Sequence, residues 1–306
     1  MNRRLALRSL VAGAGSLFTR LFAEESSTFR SDVQVVLLDV SVRDGKGAVV
    51  AGLSRANFMV FEDGRPQHIT IFDHEDLPVT MGIVLDESRS MTTKRSEVLT
   101  AAEMFIRISN TQDEMFVLHF NDKTSFGLPD GVDFSSDLKQ LRTALYSEVP
   151  DGKTALNDAV MAGLEHLRLG TRERRALVVI TDGGDTASKH KRSQMLAAAT
   201  NSLATIYTIG LYEPDDPDRD LSILRQLARI SGGEAYFPSE PSEMGATCRR
   251  IANDMRTRYT IGYPAQSGGH ALRHIHVVAS VQGRSDLMVH ARNSYRYDEI
   301  ASRSRP

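Results

Sequence analysis

Three oxygen-bearing side chains follow an apolar run at two-residue spacing. The stretch VLDESRSM, residues 84–91, places Asp86, Ser88 and Ser90 directly after the apolar sequence MGIVL. If alternate residues of this loop turn the same way, the three side chains face one spot. Carboxylate and hydroxyl oxygens are hard ligands, which suit Mg²⁺ or Mn²⁺ in six-fold geometry. The spacing therefore predicts ligands of a divalent cation.

Two further segments carry oxygen ligands at the ends of predicted elements. Thr154 lies in DGKTALNDA, and Asp182 and Asp185 lie in TDGGD, directly after the apolar run RALVVI. Ligands of open parallel sheets bind beyond the carboxyl ends of the strands, so these segments are expected at one site. One or two carboxylates with hydroxyls leave a divalent ion short of anionic ligands. A carboxylate from outside the chain can then complete the shell, which favours metal-mediated adhesion over catalysis.

Apolar strands alternate with amphipathic helices between residues 77 and 257. The run RALVVITD is apolar enough for a strand buried on both faces. The segment KRSEVLTAAEMFIRIS has apolar residues at helical spacing. The alternation predicts an α/β fold whose doubly wound, mostly parallel sheet is covered by helices.

Segments rich in β-forming residues flank this region on both sides. Residues 28–76 read as short strands, with Asp63-Gly64 as a hairpin turn. Residues 258–297 contain three strand candidates, YTIGYPA, HIHVVASV and LMVHAR. Each segment is too small to be stable alone, so we expect the two to form one small flanking β-domain.

Charge and composition exclude several classes of function. The chain of 306 residues has 37 Lys and Arg against 39 Asp and Glu, which argues against a nucleic-acid partner. The sequence GKT at 152–154 resembles part of a phosphate-binding loop, but that pattern needs Gly where Ser147 stands. No nucleotide is therefore expected. Cys248 is the single cysteine, so no internal disulfide forms.

The first 23 residues are typical of an export signal. They have a basic start, a short apolar run rich in Gly and Ala, and no acidic residue. The pair Arg3-Arg4 favours a twin-arginine signal. The apolar run is too short to span a membrane, and no later stretch is long and apolar enough to do so. We expect a periplasmic or extracellular protein without a transmembrane span in the mature chain.

The three oxygen-bearing segments, taken in order, resemble the von Willebrand factor type A domain. The motifs are D-x-S-x-S after an apolar strand, G-x-T-A-L-x-D-A, and T-D-G after another apolar strand. The resemblance covers residues 77–257. The flanking sequences are also similar to a bacterial family of exported proteins that contain such a domain.

This resemblance implies a metal-ion-dependent adhesion site that binds Mg²⁺ or Mn²⁺, with Ca²⁺ as a third candidate. Ser88 and Ser90 would bind directly, and Asp86 directly or through water. Thr154 would supply a hydroxyl, and Asp182 a carboxylate that binds directly or through water. The implied partner is a protein that supplies an Asp or Glu carboxylate, and the implied protein is not an enzyme.

The sequence departs from the common pattern at Arg89, where many members of the family have Gly. Gly permits unusual backbone angles, and Arg89 places a cation near the metal. The cation either weakens metal affinity or meets an acidic group of the partner. Arg89 and the neighbouring Glu87 are therefore candidates for partner contacts.

Three other interpretations of the same residues remain open. Ser90 or Thr92 could cap a helix, with Asp182 as a turn residue. Asp86 could be the nucleophile of a Mg²⁺-dependent phosphohydrolase, although Ser88 stands where such enzymes usually have a second Asp, and no lysine is obviously placed for the phosphate. Finally, the domain could be a structural scaffold of an envelope complex.

Overall fold

The computed structural model describes residues 34–212, 220–266 and 270–297. The predicted export signal at 1–23 lies outside these ranges. The strands in chain order are β1 (Val35–Arg43), β2 (Phe58–Glu62), β3 (Arg65–Gln67), β4 (Ile71–Asp73), β5 (Val79–Asp86), β6 (Glu114–Phe120), β7 (Thr124–Phe126), β8 (Arg174–Thr181), β9 (Thr205–Gly210), β10 (Ala235–Tyr236), β11 (Tyr259–Pro264), β12 (Leu272–Ala279), β13 (Met288–His290) and β14 (Ser294–Arg296). The α-helices are α1 (Arg95–Ile108), α2 (Leu138–Leu145), α3 (Leu156–His166), α4 (Arg192–Asn201), α5 (Leu221–Ser231) and α6 (Met244–Arg256).

A six-stranded sheet forms the centre of the α/β region, in the order β10-β9-β8-β5-β6-β7. All neighbouring strands are parallel except β7, which runs antiparallel to β6. Every residue of β5 is buried, as a continuous apolar run between two parallel neighbours requires. The predicted doubly wound, mostly parallel sheet is confirmed.

The helices bury their apolar faces against this sheet. The buried residues of α1 recur at helical spacing and belong to the same core as the central strands. Helix α3 lies close to β8 because Gly163 has no side chain. A β-carbon at this position would lie 3.0 Å from Leu177 Cδ1 of β8. The helices thereby fix the loops that leave the carboxyl ends of β5 and β8.

Two antiparallel sheets flank the α/β region, in the orders β13-β1-β11-β4 and β14-β12-β2-β3. In both sheets a strand from the N-terminal part pairs with one from the C-terminal part. Val40 of β1 lies opposite Tyr259 of β11, and Val60 of β2 lies opposite Val277 of β12. The two sheets share one apolar core. The predicted flanking β-domain, built from both chain segments, is confirmed.

The β-domain contains one hairpin turn that the sequence predicted and one strand that it did not. Asp63 and Gly64 have φ of 47° and 77° and join β2 to β3, as expected for a two-residue hairpin turn. The unpredicted strand, β14, is the short sequence Ser-Tyr-Arg, which has no alternating pattern of its own and depends on β12 for its pairing.

The proposed boundaries near residues 76 and 257 fall between elements. The first lies between β4 and β5, and the second between α6 and β11.

In the described part of the chain, no helix has the length and apolar character needed to cross a membrane.

Candidate metal centre

The first loop of the site begins where β5 ends at Asp86. Asp86 Oδ1 accepts a hydrogen bond of 2.8 Å from the backbone nitrogen of Ser88, and Oδ2 accepts one of 2.5 Å from Thr181 Oγ1 at the end of β8. Burial raises the pKa of the Asp86 carboxyl to about 6, although the hydrogen bonds from Thr181 and Ser88 oppose this shift. The negative charge of Asp182 adds to it. A cation placed beside Asp86 would favour its charged form.

Ser88 and Ser90 lie at the start of a 3₁₀ turn, Arg89–Thr93, that connects β5 to α1. The side chain of Met91 is buried in the central core and holds this turn against the sheet. Ser88 Oγ lies 3.1 Å from Ser90 Oγ, and Ser90 Oγ donates a bond of 2.8 Å to Asp182 Oδ1. The first and third loops therefore meet, which the spacing had predicted.

Thr154 brings the second loop to the same place. Its side chain is buried, and a β-carbon built on Gly183 would lie 3.6 Å from its Oγ1. Its carbonyl oxygen accepts hydrogen bonds from the backbone nitrogens of Thr186 and Ala187, at 2.8 and 3.0 Å. The loop before α3 is thus joined directly to the loop after β8.

Asp185, the second carboxylate of TDGGD, faces away from this group. It accepts hydrogen bonds from the backbone and side-chain nitrogens of Asn157, at 3.2 and 2.9 Å. Asp185 therefore fastens the third loop to the first turn of α3.

The interpretation of these residues as ordinary helix caps does not fit the geometry. Neither Ser90 nor Thr92 caps α1, whose N-cap residue is Lys94. Thr92 Oγ1 donates to the carbonyl oxygen of Arg89 within the 3₁₀ turn. The hydroxyl of Ser90 points instead to Asp182.

One charged residue of the site escaped the sequence analysis. Lys94 is buried, and its Nζ lies 2.8 Å from Asp182 Oδ2. The sequence analysis found no lysine obviously placed for a phosphate, whereas the structure places Lys94 against Asp182. The only sequence signal was the position of Lys94 at the start of a predicted helix. This position does not indicate a contact with Asp182, which lies 88 residues later in the sequence.

The expectation for Glu87 also needs correction. Its side chain is buried, and Oε2 accepts a 2.9 Å bond from Arg95 Nε. Its other oxygen lies 3.3 Å from Nδ1 of the buried His119. Because alternate residues of the loop point in opposite directions, Glu87 faces the protein interior and is not available to a partner.

Arg89, in contrast, lies on the surface beside the site. Its side chain is 79% exposed and forms a 2.8 Å ion pair with the exposed Asp151. Its backbone has no positive φ, so this position does not use the conformational freedom of Gly. Arg89 thus remains accessible to an acidic group of a partner.

The donor chemistry of the site fits a hard divalent cation. Two carboxylates and three hydroxyls converge from three loops, and Lys94 places a positive group against one of those carboxylates. The described residues contain no group of three or more His, Cys, Asp or Glu side chains that could hold a metal. A metal at this position would therefore draw on hydroxyl as well as carboxylate oxygen.

The family model described as "von Willebrand factor type A domain" matches residues 80–237, about half of the chain. This range contains all five predicted ligands. The chain belongs to the von Willebrand factor type A (VWA) domain family.

A solved structure shows the same fold. A von Willebrand factor type A protein from Catenulispora acidiphila is 13% identical and matches with a TM-score of 0.51 over 88% of this chain and 76% of that chain. This coverage exceeds residues 80–237, so the similarity extends into the flanking strands. The vWF domain of the type V pili tip protein Mfa5 from Porphyromonas gingivalis is 11% identical, with a TM-score of 0.47 over 58% of this chain and 95% of that chain.

Another match is the PilB minor pilin from Streptococcus sanguinis, 12% identical with a TM-score of 0.47, over 59% of this chain and 62% of that chain. A comparison of this VWA protein with curated proteins found no match.

Proposed function

We propose that this VWA protein is an exported, non-catalytic binding protein that uses one divalent cation to engage an acidic group of a protein partner. Membership of the VWA family supports the role in protein interaction. The cation would be Mg²⁺ or Mn²⁺, with Ca²⁺ as the alternative. The export signal predicted from residues 1–23 supports a periplasmic or extracellular location.

The observation that carries the proposal is the contact between loops that are distant in the sequence. Ser88, Ser90 and Asp182 form a continuous chain of close oxygen atoms, and Asp86 and Thr154 stand beside it. These five residues would hold the ion. Ser90 is the exposed member of the set, so the site meets solvent on its side. A bound ion supplies a Lewis-acidic position that a carboxylate of the partner can occupy.

Calorimetric titration of the full chain with Mg²⁺ and Mn²⁺ tests the site. We expect one ion to bind, with affinity at least about tenfold weaker in Asp86→Ala and Thr154→Val because each loses an oxygen ligand. Thr100→Val is the matched control, since Thr100 is exposed on α1 and its hydroxyl bonds only within that helix. Binding that is equal in all four proteins would contradict the assignment.

The two other classes of function predict different results. A Mg²⁺-dependent phosphohydrolase would hydrolyse para-nitrophenyl phosphate and lose this activity in Asp86→Asn. A structural scaffold would bind no Mg²⁺ or Mn²⁺ at millimolar concentration, and Asp86→Ala would leave its assembly with other proteins unchanged.

A further inference from the structure

Glu87 is a buried carboxylate in the middle of the first loop, between the predicted ligands Asp86 and Ser88. Its side chain is 3% exposed and extends toward α1 and β6. Oε2 accepts a hydrogen bond of 2.9 Å from Nε of Arg95 in α1. Oε1 lies 3.3 Å from Nδ1 of His119 in β6. The two oxygens of one carboxylate thus contact two different elements.

Arg95 and His119 extend these contacts to the segment that leads into the second loop. Nη2 of Arg95 donates a hydrogen bond to the carbonyl oxygen of Glu148. Nε2 of His119 lies 2.7 Å from the carbonyl oxygen of Ala144, in the last turn of α2. A carbonyl oxygen only accepts hydrogen bonds, so this ring nitrogen carries a hydrogen and donates it. The two side chains therefore connect Glu87 to the chain that runs from α2 to the second loop.

The backbone makes a further connection between the same two loops. The carbonyl oxygen of Glu87 accepts a hydrogen bond of 2.8 Å from the nitrogen of Asp151. The nitrogen of Arg89 in turn donates a bond of 3.3 Å to the carbonyl oxygen of Gly152. Thr154, the predicted ligand of the second loop, follows directly after this segment. Glu87 therefore contributes both its side chain and its backbone to the contact between the loops.

We propose that Glu87 is a positioning residue of the metal site, which holds the second loop against the first through Arg95 and His119. Residues that contact metal ligands from behind fix the orientation of those ligands and thereby raise metal affinity. The buried contacts of Glu87 set the distance between Thr154 and the ligands of the first loop before a metal arrives. This inference rests on the proposed function and names a residue that acts on the ion only through its neighbours.

Mn²⁺ binding by the full chain, measured by calorimetry, tests this role with three variants. Glu87→Ala removes both contacts of the carboxylate and should weaken Mn²⁺ binding about tenfold, because the ligands of the two loops lose their fixed separation. Glu87→Gln keeps an oxygen that accepts from Arg95 and should recover most of the affinity. Arg95→Lys keeps the charge, but an ammonium group lacks the planar fork that bridges Glu87 and Glu148, so binding should again weaken.

Asp113→Ala is the matched control, because Asp113 is another buried carboxylate that pairs with an arginine. It pairs with Arg256 of α6, and its Oδ1 accepts a bond of 2.8 Å from the backbone nitrogen of Val79, the first residue of β5. Asp86 ends the same strand, about 23 Å away at about 3.3 Å per residue. Asp113→Ala should melt at a lower temperature than wild type in EDTA, as Glu87→Ala does, but should bind Mn²⁺ like wild type.

Hydrogen exchange in EDTA measures the contact between the loops without metal. Residues 149–154 should exchange faster in Glu87→Ala and Arg95→Lys than in wild type, because the contacts that hold this segment are lost. Asp113→Ala should leave their exchange unchanged.

The outcomes separate this inference from the proposed function. If Mn²⁺ binds to wild type, Glu87→Ala and Arg95→Lys with equal affinity, the positioning role is refuted while the metal site stands. A loss of affinity in Asp113→Ala as large as that in Glu87→Ala would also refute the role, because a general loss of stability would then explain both. If neither wild type nor any variant binds Mn²⁺, the proposed metal site is refuted. In that case, equal exchange of residues 149–154 in all proteins would refute the role of Glu87 in holding the loops as well, whereas faster exchange in Glu87→Ala and Arg95→Lys alone would support it.

Discussion

At the scale of single residues, the site depends on backbone positions as well as on its oxygen ligands. Gly152, two residues before Thr154, has φ of +76°, and its carbonyl oxygen accepts a 3.3 Å hydrogen bond from the backbone nitrogen of Arg89. A β-carbon at Gly152 would lie 2.4 Å from Asp122 Oδ2. Gly152 therefore allows the second loop to pass close to the first.

Gly152→Ala should lower the free energy of unfolding by about 1–3 kcal/mol, from backbone strain and the displaced Asp122, and should weaken Mn²⁺ binding. Urea denaturation and calorimetry measure the two effects. The matched control is Gly131→Ala, because Gly131 has φ of +80° but nothing lies within 4 Å of its added carbon. Equal Mn²⁺ affinity in Gly152→Ala and Gly131→Ala would show that the contact with Asp122 does not matter to the site.

At the scale of elements, a buried ionic cluster joins α6 to the flanking β-domain. Asp254 of α6 accepts a 2.5 Å hydrogen bond from Ser41 of β1 and a 2.6 Å bond from Tyr207 of β9. Two guanidinium groups, those of Arg43 in β1 and Arg258 just before β11, each lie 3.0 Å from its carboxylate. One side chain thereby connects three elements that are far apart in the sequence.

Asp254→Asn should lower the free energy of unfolding at neutral pH by about 3–5 kcal/mol, because it removes the carboxylate that pairs with the buried Arg258 and one of the two carboxylates that pair with the buried Arg43. Urea denaturation measures the change. Asp130→Asn, at an exposed loop position, should change the unfolding free energy by less than about 0.5 kcal/mol. Similar effects at the two positions would mean that the cluster does not stabilise the fold.

The same carboxylate predicts a pH dependence. Burial alone would raise the pKa of Asp254, but the charges of Arg258 and Arg43 and the hydrogen bonds from Ser41 and Tyr207 lower it from 3.8 to about 2. Because the folded pKa lies below the unfolded value, this stabilisation is complete above the unfolded pKa. It is lost as the pH falls through the folded pKa.

The difference in unfolding free energy between wild type and Asp254→Asn should therefore shrink as the pH is lowered from about 4 to about 2. Urea titrations across this range provide the measurement. A difference that stays constant, or that grows in acid, would be inconsistent with a depressed pKa.

At the scale of the whole molecule, the C-terminal strands complete sheets that the N-terminal strands begin. Glu62 of β2 is buried, and it receives bonds from Arg273 of β12 and from Tyr295 of β14 at 2.5 and 2.7 Å. Strand β2 also pairs with β12 along its whole length, from Phe58 to Glu62. The N-terminal strands therefore need partners that are synthesised more than 200 residues later.

A chain that ends at Pro264 should lose hydrogen-exchange protection in β2, since its backbone loses the ladder to β12 and Glu62 loses its buried cation. Protection in β5 should remain, because its neighbours β6 and β8 are intact. A chain that ends at Tyr297 is the control and should exchange like the full chain. Unchanged protection of β2 in the shorter chain would show that the N-terminal segment is stable without these strands.

The sequence predicted most elements of the α/β region because they have clear local signals, whereas the three-residue strand β7 was not predicted. Strand β5 is a continuous apolar run, and α1 repeats apolar residues at helical spacing; both patterns depend on residues within one element. The β-domain was predicted because each of its two segments is too small to be stable alone. Strand β14 was not predicted, because three residues are too few to show a periodic pattern. The family match confirms the resemblance that the ordered motifs indicated.

The sequence by itself determined which residues carry oxygen at the ends of strands, and therefore the chemistry that the site can perform. Only the tertiary structure decided which of these residues meet. Strand β8 lies next to β5 although β6, β7 and three α-helices intervene in the chain, so Asp182 reaches Ser90 and Lys94. The inward turn of Glu87 likewise follows from packing against Arg95 and His119. Element type follows from local periodicity, whereas strand order and side-chain contacts depend on how the whole chain minimises its exposed apolar surface and unpaired charge.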